Sequence, residues 1–80
     1  MKVRAQDGRV FDGTPIQIVQ SMKSIALGAP NMTLGQYVDR VAARAEAIEG
    51  VALEVGGVTD EEKCARLIER MLERGLAERE

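Results

Sequence analysis

Histidine and tryptophan are absent from this chain of 80 residues, cysteine occurs once, and the only aromatic side chains are Phe11 and Tyr37. Each gap excludes something. Without histidine, Ser21, Ser24 and Cys64 lack the base that usually activates a nucleophile, so no catalytic residue can be named. Without histidine or a second cysteine, only hard oxygen ligands remain for a metal. Asp60, Glu61 and Glu62 fall within one helical turn, where three carboxylates point apart. No catalytic, metal or cofactor site and no small-molecule substrate is therefore assigned, and the chain is expected not to be an enzyme. A lone Cys64 makes no internal disulfide, which leads to the expectation of a reducing, cytoplasmic setting.

Long apolar runs are missing as well. Lys2, Arg4, Asp7 and Arg9 interrupt the start of the chain, and no stretch has the roughly 20 apolar residues of a membrane span, so neither a leader nor a membrane partner is expected. Charge of one sign is also lacking. Eleven basic and thirteen acidic residues leave a formal charge of −2, too balanced to draw the whole chain to nucleic acid or an anionic surface. With so few aromatics, the core must be assembled from Val, Ile, Leu, Met and Ala. A domain of this length buries only about 60 to 65% of the surface its unfolded chain exposes.

What is present is clear helical punctuation. Leu34, Tyr37, Val38, Val41, Ala45 and Ile48 recur at the spacing that lines up one face of a helix. Thr33 and Gln36 form a capping box, Met32 and Tyr37 suit a hydrophobic staple, and Gly50 can close the far end. A helix over 34–49 follows. Thr14-Pro15-Ile16-Gln17 repeats that grammar with proline at the first helical position, which predicts a helix over 15–27 stopped by Gly28. Ala29-Pro30-Asn31-Met32 then turns into the next helix. Thr59-Asp60-Glu61-Glu62 opens a third helix over 60–74, with Cys64, Leu67, Ile68 and Met71 on its apolar side and Gly75-Leu76 as its stop.

Strands are expected in two places. Asp7-Gly8 suits a two-residue type I′ turn in a hairpin over about 2–12, setting Gln6 opposite Arg9 and Ala5 opposite Val10. Val3, Ala5 and Val10 then share the buried face. Phe11 falls on the other unless a bulge shifts the register. After Gly50, Val51, Leu53 and Val55 alternate with Ala52 and Glu54, which predicts a third strand over 51–55. Residues 77–80 read as a frayed tail. The expected fold is a single α+β domain in the order ββααβα.

Two surfaces invite a partner. The first helix carries one charged residue, Lys23, in a chain that is 30% charged. Its polar side is the uncharged row Gln17, Gln20, Ser21 and Ser24, and Ile16 and Leu27 spill past its core stripe. Loss of charge from an otherwise polar face is typical of the inner part of a protein interface. On the second helix, Gly35, Ala43 and Ala47 would let another backbone approach. The leading expectation is a small protein-interaction or regulatory module that forms a homodimer through Ile16, Gln17, Gln20, Ser21, Ser24 and Leu27, with Ala43 and Ala47 in support. The alternative partner is nucleic acid, bound by Lys63, Arg66, Arg70 and Arg74, which form a basic stripe on the third helix. Glu62, Glu69 and Glu73 run beside that stripe and blunt its field.

Overall fold

The computed structural model describes residues 1–29 and 31–80. Strands β1 (Lys2–Ala5) and β2 (Val10–Asp12) form the hairpin. Helices α1 (Pro15–Ile25), α2 (Leu34–Arg44) and α3 (Asp60–Glu73) follow, and β3 (Ala77–Arg79) ends the chain. The sheet is antiparallel with strand order β2-β1-β3. Helices α1 and α3 pack against the three-stranded sheet and α2 packs against α1 and α3, an α+β domain as expected. Pro30, expected in the turn between α1 and α2, lies outside the described residues.

The hairpin departs from the two-residue turn. Ala5 N–H donates to Arg9 O at 2.8 Å and Gly8 N–H to Ala5 O at 3.0 Å, enclosing a three-residue loop. Only Gly8, at φ +89°, takes the left-handed position. The side chain of Asp7 explains the choice: its Oδ1 accepts from Arg9 N–H at 3.0 Å, a local closure that leaves Asp7 at negative φ, whereas type I′ needs two positive values. The bulge shifts the register by one residue, so that Val3 faces Phe11 and Arg4 faces Val10. Val10 is thus 44% exposed rather than buried, and Phe11 packs against the core beside Val3.

All three helices start on threonine. Thr14 and Thr33 form full capping boxes, with Gln17 and Gln36 accepting from the threonine N–H groups at 2.9 and 3.0 Å. At Thr59 the pattern is offset, since Glu62 reaches past it to Val58 N–H at 3.1 Å. Helix α1 ends at Ile25, two residues earlier than expected. Ala29 N–H donates to Ala26 O at 3.3 Å in a turn with Gly28 at φ +76°, which seats Ala29 fully in the core and leaves Leu27 90% exposed. Helix α2 gives way at Ala45–Glu49 to a single π turn, whose wider winding turns Ile48 off the core stripe to 67% exposure. Gly50 closes that turn as expected.

The third strand is displaced. Val51–Val55 is irregular, although Leu53 is buried and Val51 and Val55 pack against the core. The strand forms instead from the residues expected to fray. Leu76 N–H donates to Met71 O at 2.9 Å and Gly75, at φ +74°, donates to Leu72 O at 3.4 Å, a complete Schellman stop. That stop aims the chain along the open edge of β1, where Ala5 faces Ala77 and Arg4 faces Glu78. The centre of the core is made by Ile18, Val19, Val38, Cys64 and Leu67, each at most 2% exposed, with no buried charge among the described residues.

Candidate functional site

Three surfaces bear on function. The first is the outer face of α1. Gln17, Gln20, Ser21 and Ser24 are all exposed, so the helix is not sandwiched inside its own domain, while Ile16 is half-buried against the core rather than free for a partner. Most of this row is already satisfied. Gln17 is held in the cap, Ser21 Oγ donates to Gln17 O at 3.0 Å, and Ser24 Oγ donates to Ser21 O at 2.7 Å. A face whose hydroxyls bond their own helix loses little hydration when covered. It runs out through Ile25, 51% exposed, to Leu27. Beside it a depression of about 400 Å³ is lined by Gln20, Lys23, Ser24, Met32 and Leu34, so the one cation of α1 borders the uncharged row.

Ala43 on α2 and Ala47 on the π turn that continues it face outward, but Gly35 does not. It is buried against the start of α3, where an added Cβ would lie 2.7 Å from Asp60 Oδ1. Glycine there serves an intramolecular helix crossing, so Gly35 leaves the list of partner residues.

The second surface is the basic stripe of α3, which the structure divides. Lys63 Nζ is 3.5 Å from Asp39 Oδ2 on α2, and Arg70 Nη1 lies 2.8 Å from Glu73 and 3.4 Å from Glu69. Arg66 and Arg74 are left exposed, one on each side of the engaged Arg70. Glu62, which spacing would offer to Arg66, is occupied at the helix start.

The third surface was not singled out by the sequence. The hairpin turn, the end of α1, the last turns of α2 and the end of α3 enclose a cleft of about 420 Å³. Its floor includes Met22, Ala26, Val41, Ala45 and Met71; Arg40, Arg44, Asp7 and Glu49 stand around it. Tyr37 lines it and is only 6% exposed. Its hydroxyl makes no hydrogen bond to a described residue and keeps contact with solvent. Burial raises the phenol above its ordinary pKa, and the positive charges of Arg40 and then Arg44 pull against that rise. Tyr37, Arg40 and Arg44 sit at i, i+3 and i+7 on α2, along the edge of the apolar stripe. That spacing was visible in the sequence; what hid it was reading Tyr37 as core alone.

Cys64 is fully buried, and burial followed by the negative charge of Asp60 raises its thiol pKa, the reverse of what a reactive cysteine needs. Among the described residues, no three or more His, Cys, Asp and Glu side chains gather in a metal-binding group, and no helix is long and apolar enough to cross a membrane. Comparison with family models, with curated proteins and with solved structures finds no match for this chain.

Proposed function

We propose that the protein is a non-catalytic, cytoplasmic protein-interaction module that pairs with a second copy of itself through the outer face of α1. The observation that carries this reading is the exposed, charge-free row of Gln17, Gln20, Ser21 and Ser24, which ends in the protruding Leu27 beside a depression. The two features are self-complementary, as a twofold contact requires. Two α1 helices crossing antiparallel near Ser24 bring Leu27 of one copy to the Gln20, Met32 and Leu34 depression of the other. Association then covers apolar surface that a domain this small cannot bury by itself.

Sedimentation equilibrium at micromolar concentration tests the reading. The expected mass is twice the 8.7 kDa of the chain, returning to one chain mass in Gln20→Arg and Leu27→Glu variants that keep the wild-type circular dichroism spectrum and whose thermal midpoints no longer rise with protein concentration. A strict monomer at every concentration overturns it. Nucleic-acid binding is not proposed beside it, because two of the four cations of the α3 stripe are engaged by acids.

A further inference from the structure

The cleft beside α2 presents a different kind of surface from the outer face of α1. Tyrosine hydroxyls in largely buried positions normally find a hydrogen-bond partner. Tyr37 has none among the described residues, keeps contact with solvent, lines a largely apolar cleft together with Arg40 and Arg44, and feels the charge of both. Arg40 and Arg44 have no ion-pair partner among the described residues either. A phenol donor and two guanidinium groups on one helix edge form a donor set for a carboxylate, which arginine receives through paired N–H groups.

We propose that this cleft binds a small amphipathic monocarboxylate, its head held by Tyr37, Arg40 and Arg44 and its apolar body laid over Ala26, Val41 and Met71. Size points to a small molecule: about 420 Å³ lies within the roughly 300 to 1,000 Å³ usual for such sites. Charge narrows the class. Of the two acids at the rim, Asp7 is engaged by Arg9, through its N–H at 3.0 Å and its Nε at 3.5 Å, while Glu49 has no ion-pair partner among the described residues and opposes a doubly charged head such as a phosphate. Ile48, turned outward by the π turn, forms a wall that is 67% exposed and gains cover when an apolar body lies against it. The cleft shares no lining residue with the α1 row, so its ligand and self-association can be tested separately.

Decanoate is a suitable probe, with decanol and decylammonium as its uncharged and cationic counterparts. Tyr37 is the only tyrosine in a chain without tryptophan, so intrinsic fluorescence reports from inside the cleft. Decanoate should give a saturable change below its micelle concentration, bind about tenfold or more tighter than decanol, and lose about tenfold in affinity in an Arg40→Gln, Arg44→Gln double variant. Decylammonium should give no saturable change. The double variant should keep the wild-type thermal midpoint. A Tyr37→Phe variant, followed by calorimetry, should bind about threefold or more weakly, the loss of one hydrogen bond. Decanol binding as well as decanoate, a double variant with undiminished affinity, or an unsaturable response overturns the proposal. Gln20→Arg should leave decanoate affinity unchanged. Loss of binding there would put the ligand on the other face and also overturn it.

Discussion

Two short segments follow glycine-stopped helical segments in this protein, and they exchange the roles their sequences suggest. Val51-Ala52-Leu53-Glu54-Val55 sets large apolar residues in strict alternation, two of them β-branched valines, yet it runs as an irregular segment that drops Leu53 into the core. Ala77-Glu78-Arg79 has little strand propensity and pairs fully with β1. Propensity measures how well a side chain suits a pleated, half-buried surface; it does not supply an edge to pair with. The Schellman stop at Gly75 delivers the chain to the free edge of β1, whereas Gly50 delivers it to no strand. Pairing also gains from sequence that looked incidental. Arg4 meets Glu78 across the strands, Glu80 N–H donates to Lys2 O at 2.9 Å, and Ala77 is small enough to be buried beside Ala5.

The contrast can be broken at several points. Removing residues 77–80 should have the largest effect, lowering the unfolding free energy by about 3 kcal/mol or more through lost backbone pairing in urea titration. A frayed tail would leave the midpoint where it was. Leu53→Ala should cost about 2 to 3 kcal/mol by emptying a core position, despite the irregular backbone around it, while Val58→Ala, at a residue 94% exposed, should change nothing measurable. Gly75→Ala should cost about 1 kcal/mol, because alanine resists the left-handed φ that turns the chain onto the sheet.

Smaller effects sharpen the picture. The thiol of Cys64 and the phenol of Tyr37 are both raised above their ordinary pKa values by burial, so the folded state favours their protonated forms. Their contribution to stability is fully present below the ordinary thiol value of about 8.5 and falls as pH rises beyond it. Urea titrations from neutral to alkaline pH should show that decline beginning later in Cys64→Ala, which leaves only the phenol to titrate. Glu78→Gln should have the smallest effect. Arg4 and Glu78 meet on the exposed face of the sheet, where an ion pair is screened, and the urea midpoint should stay within error.

Much of the fold was legible because its signals are local. The threonine caps at Thr14, Thr33 and Thr59 satisfy backbone groups within three or four residues, and the apolar stripe of Cys64, Leu67, Ile68 and Met71 needs only the helical period to be recognised. The hairpin was half legible. Asp7-Gly8 marks the turn, but the Asp7 bond to Arg9 N–H chooses three loop residues over two and so decides which of Val10 and Phe11 meets the core. Function was less legible still. The charge-poor row of α1 could be named, with its exposure and its internally bonded hydroxyls given only by the fold. The cleft needs four distant parts of the chain, and nothing in the spacing of Tyr37, Arg40 and Arg44 shows that the hairpin turn and the end of α3 will close around them.

The sequence by itself determined where helices begin, where they end within two residues, and which side of each is apolar, since capping and period act over a few bonds. Tertiary structure decided which segment became the third strand, that Gly35 serves a helix crossing, and that Tyr37 lines a cleft with Arg40 and Arg44. Each depends on what another part of the chain places alongside: an open strand edge, the start of a neighbouring helix, the walls of a cleft.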